Sequence, residues 1–196
     1  MRAEKKKIGF LGGTFDPVHL GHLLMAQDAF EEKNLERVYF IPAARNPLKT
    51  PPPEASPEDR LAMLERAMGD DPRFGLLDWE IAAGGSSYTV ETARRLRDHF
   101  RGVELYWIIG ADQLAELPRW HQADALARLM GFLCAVRPGS PAAVPEIEDL
   151  RVEFLRGHPF QVSSSEIRGR IKEQLLVDLF LPVPVASYIQ SNNLYV

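Results

Sequence analysis

The sequence predicts an α/β fold in which a doubly wound, mainly parallel sheet carries helices on both faces. Three observations lead there. Short apolar runs recur along the chain with helix-length segments between them. Several runs end in glycines and polar residues rather than in hairpin turns, as at Gly12-Gly13-Thr14 and Gly110-Ala111-Asp112. At 196 residues, 45% of them apolar and 26% charged, with no shift of composition along its length, the chain is expected to form one globular domain over residues 1–196.

In chain order, strands are expected at Ile8 to Leu11, Val38 to Ile41, Phe74 to Leu77, Glu104 to Ile109 and Phe132 to Val136, with a weaker pattern at Val152 to Leu155. Helices are expected at Leu20 to Lys33, Pro57 to Met68, Tyr88 to Phe100, Gln122 to Leu129, Ser165 to Gln174 and Val183 to Ser191. In the first helix Leu20, Leu23, Leu24, Gln27, Phe30 and Glu31 fall near one stripe, which is the face expected to be buried. The run Pro51 to Pro57 cannot be a helix interior or a central strand, so it reads as a loop with nothing to anchor a core. A second proline cluster, Pro138 to Pro145, is expected to cross the surface. Ligands of open parallel sheets bind beyond the carboxyl ends of the strands. Gly12-Gly13-Thr14, Pro42 onward to Lys49, Gly110-Ala111-Asp112 and Arg137-Pro138-Gly139 should therefore line one edge.

Composition narrows the partners. A formal charge of -4 gives no electrostatic footprint for a nucleic-acid backbone, so any nucleotide bound is expected to be small. Lys5-Lys6-Lys7 reads as a solvated lead-in to a buried strand. No apolar run approaches the ~20 residues of a membrane span, and no secretory signal follows Met1, so no membrane contact and a cytoplasmic setting are expected. The lone Cys134 lies in an apolar run and reads as a small core residue without chemistry. Oligomeric state has no signature here.

The densest cluster of informative residues is GGTFDPVHLGH, Gly12 to His22. A strand, two glycines and then a helix let backbone N–H groups approach an anion, which the helix dipole also favours. His19 and His22 are three apart and share a helical face, pointing into the same crevice. Zinc, with Asp16 as a further ligand, is the competing use, but no cysteine accompanies them and His99, His121 and His158 show no matching spacing; no protein-held metal is expected. Imidazoles can donate hydrogen bonds to phosphate oxygens and, if protonated, counter the charge that grows at phosphorus. Neither the Walker G-x-x-x-x-G-K-S/T nor the dinucleotide G-x-G-x-x-G pattern is present.

The run resembles the signature of the nucleotidyltransferase superfamily with its H-x-G-H element. In its long form, G-G-T-F-D-P-x-H-x-G-H, it is most similar to the bacterial nicotinate-nucleotide adenylyltransferases. Six further blocks follow in that family's order: Pro42 to Lys49, Ser87-Tyr88-Thr89-Val90-Glu91-Thr92, Ile109 to Asp112, Leu117 to His121, Arg137-Pro138-Gly139, and Ser163 to Arg168. One departure stands out: where the family pattern has a histidine before the lysine, this chain has Leu48, and Asn46-Pro47 replaces two prolines.

The resemblance implies a Rossmann-like nucleotidyltransferase that joins the adenylyl group of ATP to nicotinate mononucleotide, giving deamido-NAD and pyrophosphate by direct in-line attack. It implies ATP contacts at Gly12, Gly13, Thr14, Phe15, His19, His22, Gly110, Asp112, Ser165 and Arg168, and acceptor contacts at Lys49, Thr89, Asp112, Trp120, His121 and Arg137. His19, His22, Lys49 and Arg168 would carry catalysis, with Mg2+ arriving on ATP. The same residues have plainer readings: Ser163 and Glu166 form a capping-box pattern, Ser87 and Thr89 could start a helix, and Asp112 could be an N-cap. Trp107, inside a strand, reads as packing, and Trp120, after Pro118-Arg119, as awkward in a core. Sibling transferases that use other phosphorylated acceptors, and a regulatory module without turnover, are the alternatives.

Overall fold

The apolar run that opens the chain forms strand β1 (Lys7–Gly13), the centre of a six-stranded sheet in a computed structural model that describes residues 5–136, 143–158 and 160–196. The other strands are β2 (Arg37–Pro42), β3 (Phe74–Leu76), β4 (Glu104–Gly110), β5 (Gly131–Ala135) and β6 (Val152–Leu155). Their order across the sheet is β3-β2-β1-β4-β5-β6 and every pairing is parallel. This is the doubly wound, Rossmann-like arrangement expected from the alternation of elements. Winding reverses between β1 and β4, which open a crevice at their carboxyl ends, where Gly12-Gly13 and Gly110 lie.

The helices are α1 (Leu20–Lys33), α2 (Pro57–Met68), α3 (Trp79–Ala83), α4 (Thr89–His99), α5 (Ala111–Glu116), α6 (Ala123–Leu129), α7 (Ser164–Lys172) and α8 (Val183–Ser191), with a 3-10 turn at Leu117–Arg119. The short α3 and α5 are additions to the sequence-based expectation. Two apolar cores flank the sheet, one including Phe15, Phe40, Leu64 and Ile108, the other Phe10, Ile41, Trp107 and Phe132. Cys134 is buried in the second, and burial pushes its thiol up to about 11.

Two packing expectations need correction. The deepest face of α1 is not the bulky stripe but Ala26 and Ala29, with Leu23, Met25 and Phe30 packed beside it and Glu31 exposed. The loop before α2 does have an anchor: Ala55 is buried, and the backbone N–H groups of Glu54 and Ala55 donate to the Asp16 carboxylate at 2.9 and 3.0 Å. The loop then enters α2 through the Ser56 cap, whose Oγ accepts from the Asp59 N–H at 3.0 Å.

Candidate active site

Two cavities open at the crevice. The larger, about 550 Å³, is lined by Gly12 to Phe15, His19, His22, Gly110, Asp112, Ser165 and Arg168. The smaller, about 240 Å³, is lined by Ser87 to Thr89, Trp120, His121, Glu80 and Trp107. They share Gly12, Gly13, Asn46, Leu48, Lys49 and Gln113. The sequence-predicted residues are thus brought together along one edge, with Lys49 at the junction. Arg137 lies outside the described residues.

In the larger cavity the backbone makes the site. Gly12 has no room for a side chain, since a Cβ there would lie 2.3 Å from the Trp107 indole. Phe15 is held at φ +51, a left-handed conformation that costs a non-glycine residue on the order of 1 kcal/mol or more. Its ring packs edge-on to His22 with centroids 4.9 Å apart. Among the described residues the Thr14 hydroxyl is buried and finds no hydrogen-bond partner.

His19 is the N-cap of α1 and His22 its third residue, so the three-residue spacing stacks the rings at 3.7 Å and 25°. Gly21 permits this: a Cβ there would meet the His19 ring at 3.1 Å and Phe160 at 3.0 Å. Burial first, and then the charges of His19 and Lys49, push the pKa of His22 well below 6.5. His22 is therefore a neutral donor in the resting protein rather than an imidazolium.

Asp16, inside the glycine-rich motif but absent from the expected site residues, is a buried hub. Besides Glu54 and Ala55 it accepts from the Tyr195 hydroxyl at 2.8 Å, and it is only 3% exposed. Arg168, one turn into α7, donates from Nη1 to the Asp16 carbonyl at 2.7 Å and from Nε to Glu54 at 2.9 Å. Its Nη2 faces the Ser165 hydroxyl at 3.5 Å. Glu54 also meets Lys172 at 2.8 Å, and these two cations hold its carboxyl below the usual range. The Ser163 cap exists as the capping pattern suggests, its Oγ accepting from the Glu166 N–H at 3.1 Å.

The smaller cavity is framed by hydrogen bonds that the motif did not reveal. The Ala44 N–H donates to Ser87 Oγ at 2.9 Å, and the Thr92 hydroxyl donates to Glu80 at 2.5 Å. Burial raises the pKa of Glu80, opposed by hydrogen bonds from Thr92 and Ser87. Thr89 begins α4, and Tyr88 and His121 approach with ring centroids 4.6 Å apart at the mouth. Trp107 is buried, as expected for packing, yet its indole also lines this cavity. Asp112 is not the N-cap of α5; Gly110 is, and Asp112 is exposed in the first turn.

Comparison with known proteins agrees with this geometry. The cytidylyltransferase-like family pattern matches residues 10–170. A probable nicotinate-nucleotide adenylyltransferase of Opitutus terrae is 48% identical over 190 residues, covering 96% of this chain and 97% of the relative. One of Geobacillus kaustophilus is 39% identical over 193 residues, covering 96% of this chain and 86% of that protein. In fold, the chain is similar to the Plasmodium falciparum nicotinic acid mononucleotide adenylyltransferase complexed with NaAD, with a TM-score of 0.77 at 18% identity and 97% of each chain covered.

Proposed function

The chain belongs to the cytidylyltransferase-like family and to the nicotinate-nucleotide adenylyltransferases, and from that premise we propose that it joins the adenylyl group of ATP to nicotinate mononucleotide, forming deamido-NAD and pyrophosphate. The observation that carries this reading is the junction of two cavities at Gly12, Gly13 and Lys49. One chamber offers imidazole and backbone donors suited to a polyphosphate, the other a half-buried indole suited to an aromatic ring. The two reacting phosphates meet where the chambers join.

The 5'-phosphate of the mononucleotide attacks the α-phosphorus in line, the bond from that phosphorus to the bridging oxygen breaks, and pyrophosphate leaves with the electron pair. A phosphate monoester, with its second pKa near ~6, is already ionised at neutral pH, so neither a protein base nor a covalent intermediate is required. The protein aligns and stabilises charge. His19 and His22 donate to the ATP phosphates, Lys49 meets the acceptor phosphate, and Ser165 and Arg168 hold the pyrophosphate. Gly12, Gly13, Thr14, Phe15 and Gly110 bound the adenylyl half, while Thr89, Trp120, His121 and Arg137 serve the acceptor. Asp16 already accepts three hydrogen bonds, whereas Asp112 is exposed at the rim, a donor set that fits water-mediated contact with Mg2+ carried by ATP rather than a protein cage. That ion would supply charge neutralisation on the phosphates. A cytoplasmic setting, where ATP is kept, fits the same reading.

The testing experiment is a pyrophosphate-release assay offering nicotinate mononucleotide, nicotinamide mononucleotide, phosphopantetheine and glycerol phosphate in turn. Release with the nicotinate nucleotide in preference to the others is expected; release with phosphopantetheine or glycerol phosphate instead would move the chain to a sibling activity.

A further inference from the structure

Helix α2 buries a full guanidinium. Arg60 is 1% exposed and lines neither cavity. Its Nη1 donates to the carbonyls of Thr14 at 2.8 Å and Ala43 at 2.6 Å, and its Nη2 to that of Ala44 at 3.3 Å. Thr14 belongs to the turn after β1 that walls the larger chamber, whereas Ala43 walls the smaller and Ala44 leads toward Lys49 at the junction. The same segment is held from its other side, where the Ala43 N–H donates to Gly13 at 2.8 Å and the Ala44 N–H to Ser87. One side chain therefore spans the donor wall and the acceptor wall.

Stability alone is a poor account of it. Desolvating a guanidinium is costly, and here Nε finds no hydrogen-bond partner among the described residues. An apolar side chain of similar volume commonly serves a fold as well or better than a buried ion. What an apolar side chain cannot do is hold the carbonyls of Thr14, Ala43 and Ala44 together, which the rigid fork of an arginine does.

We propose that Arg60 is a positioning residue for adenylyl transfer, tying Thr14 to Ala43 and Ala44 and so setting the approach of the acceptor phosphate to the α-phosphorus. The proposal rests on the reaction given above. In-line displacement tolerates little misplacement, about a hundredfold in rate for a shift near 1 Å. Arg60 itself lines neither cavity and so touches neither substrate, and turnover should suffer more than binding.

The test compares the parent with R60K, which keeps a cation but cannot span three carbonyls, and R60M, which keeps volume alone. Each is measured at low temperature, with the folded fraction counted by near-ultraviolet circular dichroism. R60K is expected to lower kcat by about ten- to a hundredfold with the KM of both substrates within about threefold of the parent, and R60M to lose at least as much. Amide exchange at Ala43 and Ala44 should quicken in R60K while that in β5 does not. A kcat within twofold of the parent in folded R60K, or a loss carried wholly by KM, would overturn the proposal. Unchanged exchange at Ala43 and Ala44 would overturn the tie itself. No pyrophosphate from the parent would instead overturn the reaction, leaving the exchange measurement to judge Arg60.

Discussion

The Nδ1 atom of His22 accepts the backbone N–H of His19 at 3.2 Å, which obliges the neutral ring to carry its proton on Nε2. His22 is thus prepared to donate, and His22→Ala should lower kcat by about two to three orders of magnitude, the scale of one lost transition-state donor. Steady-state kinetics on folded protein check this; an undiminished kcat would remove His22 from the chemistry.

The depressed pKa of His22 has a consequence for stability. Its unfolded value is near 6.5 and its folded value lower, so the unfolded chain binds the extra proton first. The stabilising contribution is complete above pH 6.5 and is lost as the pH falls from there through the folded value. The Tm of the parent should therefore drop more steeply between about pH 7 and pH 5 than that of His22→Asn. Parallel pH profiles in thermal melts would contradict the assignment.

Trp120 lines the smaller cavity and not the larger. Trp120→Ala should weaken nicotinate mononucleotide more than ATP in calorimetric titrations. Equal losses would mean that the acceptor chamber is wrongly assigned.

Glu54 pairs with Arg168 at 2.9 Å, and if Arg168 holds the pyrophosphate as proposed, Glu54 competes for it. Its carboxylate is partly exposed, so the pair is weak, and Glu54→Gln should lower the KM for ATP by about two- to fivefold, less so at high salt. An unchanged or raised KM at low ionic strength would show that Glu54 does not compete.

Tyr195 supports the site from near the end of the chain. Removing its hydroxyl leaves Asp16 with one hydrogen bond fewer in a buried setting, and Tyr195→Phe should cost about 1–2 kcal/mol in urea unfolding. A change well under that range would place the contact outside the buried network.

Much of this was legible in the residues. All six strands and six of the helices follow from apolar period, and the alternation fixed parallel pairing, which carried Gly12, Gly110 and Lys49 to one edge. The helices Trp79–Ala83 and Ala111–Glu116 span five and six residues, too few for a period to register. The buried face of α1 departs from the stripe of bulky residues because Leu23 and Phe30 flank it while Ala26, Asp28 and Ala29 are its buried positions. Arg60 could not be foreseen, since its carbonyl partners at Thr14, Ala43 and Ala44 are 16 to 46 residues away. Asp16 lies within the motif, but only the fold shows that its carboxylate accepts from Glu54, Ala55 and Tyr195.

The shared wall at Gly12, Gly13 and Lys49 also bears on how a turnover ends. On the proposed reading, two ligands that enter separate chambers leave as one dinucleotide with a foot in each. When one foot lifts, the other holds it at high local concentration, and recapture competes with escape. Departure of the joined molecule should then be slowed, and a linked mimic of both halves should bind more tightly than either half alone.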